Sequence, residues 1–382
     1  MAPQNAARRV LQLGKYFAPH RGGIETHLEL LSFGLARSCE VRVMVAGGGR
    51  LSMQTDFFGG LQVDRLATPL TLAATPVCPG MARAIRAARP DLVHLHFPNP
   101  MAAWGYLAAR ISTPLIVTWH SDVVRQRLLD TMMRPLINTV LARASAIIAT
   151  SPDYLESSPV LSSRRSRVRV IPYGIALEEL APPPAAAVAE IRQRYRLPLV
   201  LGVGRLVYYK GWEYLIAAMR QVNATLLIVG DGPLRPALQR QVVEAGLSRR
   251  VFFIGELDRR QITPYYHACE VFALASVARS EAFAIVQLEA MAAERPVVNT
   301  ALATGVPFVS PHGVSGLTVA PRDAGALAGA INRLLADPAA RARCGRAGAQ
   351  RVAQLFSRER MVAQTLSLYD ELLGESRRTS AA

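Results

Sequence analysis

Cysteine is scarce in this 382-residue chain and falls in no pattern: Cys39, Cys78, Cys269 and Cys344 match neither a metal-ligand spacing nor a disulfide framework, and a reducing compartment suits them. No apolar run approaches the roughly 20 residues of a membrane-spanning helix. Residues 1–10 hold no apolar core of signal-peptide length, so export is not expected. Aromatic residues make up only 7%, and no basic run is longer than Arg164-Arg165-Ser166-Arg167, which leaves a nucleic-acid binder without its stacking platforms and basic patches. Lysine is nearly absent, with Lys15 and Lys210 standing against 42 arginines. That imbalance looks like coding bias and devalues an average arginine as a signal. Both lysines lie in loops that follow strands, and they mark points where a compact ammonium is wanted.

What is present is apolar and basic. The hydrophobic fraction is 51% and the formal charge is +16, suited to nucleic acid, an anionic membrane surface or phosphorylated ligands. The length fits two domains of roughly 150 to 200 residues. In the first half, strand candidates at 8–13, 41–46, 61–66, 92–97, 115–119, 146–150 and 168–171 mostly alternate with helical stretches, beginning with a helix over 24–37 that carries Leu28, Leu31 and Leu35. After Ala181-Pro182-Pro183-Pro184 the pattern restarts, with strands at 199–203, 225–229, 251–254, 271–274 and 296–299 and three closing helices broken near Pro338 and Ser357. The expected division is a first domain over 1–174, a linker over 175–197, a second domain over 198–356, and a C-terminal helix and tail over 357–382 that could pack back on the first. Such alternation predicts doubly wound parallel sheets, whose ligands gather beyond the carboxyl ends of the strands.

Polar candidates cluster at those ends. Gly22-Gly23 closes the first loop and opens a helix, where backbone N–H groups can face an anion. His94 and His96 share a strand and are expected on opposite faces, with His96 the better site candidate; His120 follows a strand directly, in Thr118-Trp119-His120-Ser121-Asp122. From Val123 to Ala144 runs an amphipathic stretch with Arg125, expected as a surface helix, with a membrane- or diphosphate-facing segment as the sharper alternative. Gly202-Val203-Gly204 lacks the third glycine and the downstream acid of a dinucleotide fingerprint. Arg205 and Lys210 instead place two cations on one strand-end loop, a common way to hold a diphosphate. Glu281 and Glu289 stand eight positions apart, Glu281 expected on the loop before a helix and Glu289 two turns inside it. Taken alone, that pair favours a helix cap and a surface ion pair; the motifs along the rest of the chain reverse that balance.

With Gly22-Gly23, Thr118 to Asp122, Gly204-Arg205 with Lys210-Gly211, Gly230-Asp231-Gly232-Pro233 and Glu281 through Glu289 in place, the sequence resembles the retaining glycosyltransferases of family 4 over almost its whole length. Closer still, His96-Phe97-Pro98, His120 to Gln126 and Tyr208-Tyr209-Lys210-Gly211 resemble bacterial mannosyltransferases and D-rhamnosyltransferases of lipopolysaccharide and exopolysaccharide assembly. The resemblance implies an α/β GT-B fold, two Rossmann-like doubly wound domains facing across a cleft. It implies a hexosyltransferase taking mannose or D-rhamnose from GDP-mannose or GDP-D-rhamnose to a polyprenyl-diphosphate-linked saccharide, in the cytoplasm and peripheral on the anionic inner face of the cell membrane. Arg205 and Lys210 would neutralise the donor diphosphate and Glu289 would bind the ribose. Glu281, with the backbone from Phe283 and Ala284 through Ile285 and Val286, would bind the transferred sugar, which His120 holds from the other domain while Gly22 and Gly23 let the backbone approach. Lys15, His96, Asp122 and Arg125 are the acceptor-side candidates. No cofactor and no metal are implied: Asp-x-Asp is absent, and the cationic pair can do the charge work of Mg²⁺. Ala282 and Ala284 stand where the family often has glycine, and a methyl at 284 would crowd the sugar or constrain the loop.

Three alternatives remain at this level. A UDP-sugar donor, glucosyl or N-acetylglucosaminyl, fits the same motifs because none of them contacts the base. A basic nucleic-acid-binding protein is disfavoured by the missing aromatics. A scaffold that has lost catalysis is disfavoured by the intact Glu281, Glu289, Arg205, Lys210 and His120.

Overall fold

Most of the parallel strands of this chain are apolar-rich and buried along nearly their whole length, the pattern expected where both faces of a sheet are covered by helices. The computed structural model describes residues 8–20, 22–49, 51–72, 75–122, 127–195 and 198–380. Two compact units divide the chain: one comprises residues 1–150, 158–174 and 358–382, the other 151–157 and 175–357.

In the first unit the strands are β1 (Arg9–Leu13), β2 (Glu40–Ala46), β3 (Gln54–Phe58), β4 (Leu61–Leu66), β5 (Leu70–Leu72), β6 (Thr75–Val77), β7 (Leu92–Phe97), β8 (Leu115–Trp119), β9 (Ala146–Ala149) and β10 (Val168–Val170). Eight of them form a sheet in the order β10-β9-β8-β7-β1-β2-β4-β3, and β5 pairs with β6 apart from it. All main-sheet pairings are parallel except β3 with β4. Sequence periodicity does not reveal β3, β5 or β6. β3 is mostly exposed, β5 wholly so and β6 has one buried residue, and each pairs antiparallel with a neighbour in sequence, so the buried stretch that marks the other strands is missing.

The second unit holds β11 (Leu199–Val203), β12 (Thr225–Val229), β13 (Val251–Gly255), β14 (Val271–Ala273), β15 (Val297–Thr300) and β16 (Gly316–Val319), all parallel, in the order β13-β12-β11-β14-β15-β16. Only β16, a short Gly-Leu-Thr-Val edge strand, escapes the sequence pattern. Residues 175–197, expected as a linker, carry a 3₁₀ turn at Leu177–Leu180 and a helix at Ala185–Tyr195 that opens just after Pro184, and they cluster with this second unit.

Both sheets reverse direction beside their first strand. The reversal falls between β1 and β7 in one unit and between β11 and β14 in the other. At such a point adjacent strand-end loops part in opposite directions and leave a crevice for a ligand. Gly22, Lys210 and Glu281 lie on the loops concerned, and His96 is next to last in β7, just before its loop.

The closing helix Arg358–Ser380 belongs to the first unit and packs on the helix Gly23–Leu35. Gly34 makes the approach possible, since a Cβ there would lie 2.3 Å from Val362 Cγ2. Gly34→Leu should cost the first unit about 1–3 kcal/mol by overpacking. Calorimetric unfolding would then show an earlier first-unit transition, and an unshifted transition would contradict this packing.

Candidate active site

In the second unit β11 runs out through Gly204 and Arg205 into a 3₁₀ turn at Tyr208–Lys210. Gly211 then sits at φ 64°, and a Cβ on it would come within 2.0 Å of the Ala275 carbonyl oxygen, so glycine alone lets this loop lie against the loop after β14. Trp212 Nε1 donates to the Arg205 carbonyl (3.0 Å), and the Val277 N–H donates to the Tyr209 carbonyl (2.8 Å). Below them the Gly230-Asp231-Gly232-Pro233 loop is pinned by Leu206 N–H donating to the Asp231 carbonyl (2.9 Å).

This scaffold buries Lys210 and aims it at Glu281, with Nζ 2.6 Å from Oε2; Ser276 Oγ donates to the same oxygen at 2.8 Å. Burial alone would lower the Lys210 pKa, but Glu281 and Tyr209 together outweigh desolvation and hold it above the ordinary lysine value. Arg205, five residues earlier, is exposed. Glu281 occupies the loop, as expected. Glu289 lies five residues into the helix Ile285–Ala292, closer to its start than two turns. Its Oε2 accepts a 2.6 Å hydrogen bond from Tyr266, and burial raises its pKa against the pull of Arg259 and Tyr266. Phe283 and Ala284 are buried before the helix, whereas Ile285 and Val286 are partly exposed in its first turn. Ala284 has φ 63° and ψ 72°, the left-handed conformation that glycine adopts freely.

In the first unit Gly22, with extended backbone, caps the helix Gly23–Leu35 without a side-chain bond, leaving first-turn N–H groups for a ligand. Lys15 is half-buried over the Tyr16 ring at 5.4 Å, and burial lowers its pKa. His94 and His96 do not face opposite ways. Their rings stack at 4.6 Å, because residues two apart in a strand point to the same side. Both are buried, as are His27 and His120. His96 Nδ1 lies 3.0 Å from His120 Nε2, and His120 Nδ1 is bonded to the Tyr173 hydroxyl. His120 thus has both ring nitrogens engaged. Asp122 accepts from Trp119 Nε1 (2.9 Å) and Ser158 Oγ (2.8 Å). Arg125 lies outside the described residues; the helix expected around it spans Arg127–Arg143.

Among the described residues, His27, His96 and His120 each offer a ring nitrogen within 4.8 Å of the others, a set that could hold a divalent ion. Occupation would require the His96–His120 hydrogen bond to open.

Comparison with known proteins decides the family. The profile of glycosyl transferases group 1 matches residues 188–351 and that of Glycosyltransferase Family 4 matches residues 21–179. The D-rhamnosyltransferase WbpZ of Pseudomonas aeruginosa is 34% identical over 302 residues, 78% of this chain and 79% of that protein. The O-antigen chain mannosyltransferase C of Escherichia coli is 32% identical over 74% of this chain and 76% of its own. This chain belongs to glycosyltransferase family 4. A GDP-mannose-dependent alpha-(1-6)-phosphatidylinositol monomannoside mannosyltransferase of Mycolicibacterium smegmatis is 30% identical over 87% of the transferase described here and 90% of its own length. Among solved structures, a sucrose-phosphate synthase from Thermosynechococcus elongatus superposes with a TM-score of 0.82 at 27% identity, covering 96% of this chain and all (100%) of that one. The transferase has the GT-B fold, with two Rossmann-like α/β units, and is a hexosyltransferase.

In the family 4 transferase, sequence reasoning located Lys210, Glu281, Glu289, His96 and His120 but missed the residues that hold them. Tyr266 and Ser276 support the two acids; Gln12, Tyr173 and Tyr369 bond the histidines. None has a local signature: Ser276 stands five residues before Glu281 in a loop without periodicity, and the other partners are remote in sequence. His27 had one available signal, its place on the apolar face of its helix beside Leu28 and Leu31. Neither of its ring nitrogens has a hydrogen-bond partner in the protein.

Two measurements check this geometry. Burial pulls His27 and His94 down to about 3 and His96 and His120 well below the ordinary value of 6.5, with neighbouring histidines adding to the effect for the last three. The unfolded chain takes up protons below pH 6.5 that these folded rings refuse, so their contribution to stability is whole above that pH and is lost as pH falls towards 3. His27→Leu should flatten the acid slope of stability by about 1.4 kcal/mol per pH unit, one proton's worth. An unchanged slope would show that His27 is not held neutral. Ala284→Gly should relieve left-handed strain and stabilise the second unit by about 0.5–1 kcal/mol in urea unfolding; a loss of stability would contradict the strain.

Proposed function

We propose that the enzyme is a retaining transferase that moves mannose or D-rhamnose from a GDP-sugar to a polyprenyl-diphosphate-linked saccharide in cell-surface polysaccharide assembly. The carrying observation is the buried Lys210–Glu281 pair, supported by Ser276, in loops that flank the sheet reversal between β11 and β14. A lysine kept charged out of water, with the arginine of Arg205 on the same loop, suits a leaving diphosphate whose negative charge grows as the glycosidic bond breaks. Glu281 suits hydroxyls of the transferred sugar and Glu289, oriented by Tyr266, suits those of the ribose. The assignments of Gly22, Gly23 and His120 to the sugar, and of Lys15, His96, Asp122 and Arg125 to the acceptor, rest on the family resemblance. The leaving phosphate takes the acceptor proton in this scheme, and neither a metal nor a cofactor is required.

Support for the donor comes from relatives whose names specify mannose, rhamnose or GDP-mannose. Among the described residues no helix is long and apolar enough to cross a membrane. A charge of +16 suits peripheral attachment to an anionic leaflet, on the cytoplasmic face where sugar nucleotides are found.

Thermal unfolding with GDP-mannose, GDP-D-rhamnose, UDP-glucose and UDP-N-acetylglucosamine separates the donors, because a ligand at a hundred times its Kd stabilises by about 2.7 kcal/mol. A shift with UDP-sugars alone would overturn the GDP assignment. Glu281→Gln and Lys210→Ala should each lower kcat/KM by about a hundredfold or more. Lys210→Ala should also destabilise the second unit, since it leaves Glu281 buried and unpaired. Wild-type turnover in either variant would remove these residues from the chemistry.

A further inference from the structure

Across β1, β7 and β8 of the first unit runs an unbroken line of buried hydrogen bonds. It passes from Tyr173 to His120, to His96 at 3.0 Å, to Gln12 Oε1 at 2.8 Å, from Gln12 Nε2 to the Tyr369 hydroxyl at 3.0 Å, on to His94 Nδ1 at 2.6 Å, and from His94 Nε2 to Thr118 Oγ1 at 2.6 Å. A neutral imidazole donates at one nitrogen and accepts at the other in either tautomer, and a hydroxyl can do both, so six of these seven groups leave the direction open. The Gln12 amide does not, because its oxygen only accepts and its nitrogen only donates. We propose that Gln12 is a positioning residue that sets the tautomer of His96 and, through it, of His120.

The assignment follows bond by bond. The Gln12 oxygen requires a proton on His96 Nε2, so a neutral His96 has a bare Nδ1. That nitrogen accepts from His120 Nε2–H, which leaves His120 Nδ1 bare to accept from the Tyr173 hydroxyl. At the other end the Tyr369 oxygen accepts the Gln12 N–H, and the buried Tyr369 proton is satisfied by His94 Nδ1, so Tyr369 donates to His94 Nδ1 and His94 Nε2–H donates to Thr118. All three rings therefore carry their proton on Nε2. Burial depresses the pKa of each, which keeps them neutral as the scheme requires. Tyr369 comes from the closing helix Arg358–Ser380, so that helix anchors one end of the amide. The consequence for transfer rests on His120 being a sugar ligand: when its ring exchanges His96 for a sugar oxygen, it offers an N–H donor and not a lone pair. Neither Gln12 nor Tyr369 needs to touch the substrate.

Long-range ¹H–¹⁵N correlation spectra of the full-length protein report which ring nitrogen is protonated. The expected result is Nε2–H at His94, His96 and His120. Protonation of His96 or His120 at Nδ1 would mean the amide lies the other way round and would overturn the assignment, as would a metal-bound signature on His96 or His120. In Gln12→Glu both carboxylate oxygens accept. Tyr369 then donates to Glu, and His94 should switch to Nδ1–H while His96 and His120 keep Nε2–H; an unswitched His94 refutes the chain. Should that variant fail to fold, Tyr369→Phe serves, with a changed His94 spectrum and unchanged His96 and His120 expected. Gln12→Met should leave His96 and His120 in mixed tautomers and lower kcat by about tenfold or more, with donor KM little changed. Wild-type turnover in Gln12→Met alongside a dead His120→Ala would overturn the link between tautomer and transfer. Wild-type turnover in His120→Ala would instead remove His120 as a sugar ligand and leave the tautomer assignment to stand on its spectra.

Discussion

A lysine ammonium cannot be taken out of water alone. In the second unit Lys210 is buried, and only Glu281, itself held by Ser276, makes that tolerable. An isolated charge at this depth would lose its proton, and a pair broken on one side would cost several kcal/mol. The requirement for a partner therefore disciplines the local backbone. Gly211 must turn left-handed to let the Lys210 loop meet the loop after β14, Trp212 must tie the Arg205 carbonyl down, and Gly230 must pass under the Gly204 carbonyl. A pair of this kind is poor insulation for a core, and it keeps a charged ammonium out of water at the end of β11.

The first unit solves a different problem with neutral groups. His94, His96 and His120 are too deep to be charged, so their polar atoms must be satisfied by one another and by Gln12, Tyr173, Tyr369 and Thr118. One amide with distinguishable ends is enough to give the whole line a direction. His27 stands against the same cluster, ring centroid 4.4 Å from Tyr173, and its nitrogens make no such bond.

Much of this was legible beforehand. Parallel strands buried on both faces announce themselves by their apolar residues, and twelve of the fourteen main-sheet strands lie within a residue or two of where those stretches fall. Lys210 stood out because lysine is rare here, and the Glu281 to Glu289 spacing stood out because it belongs to a family pattern. The short edge strands β3 and β16 did not stand out, since an edge needs no apolar run. The facing of His94 and His96 was misjudged for a simpler reason: a strand repeats every two residues, so both rings share one side.

The residue order of this protein by itself determined the class of fold, the alternation that builds two Rossmann-like units, and the family to which the enzyme belongs, because these depend on periodicity and on motifs contained within a few consecutive positions. Only the tertiary structure decided which atoms meet: that Tyr266 orients Glu289, that Glu281 neutralises Lys210, and that Gln12 links His96 to a tyrosine 357 positions further along the chain. Hydrogen-bond partners are selected by strand order and register, which bring remote residues within 3 Å, and no local pattern records that choice.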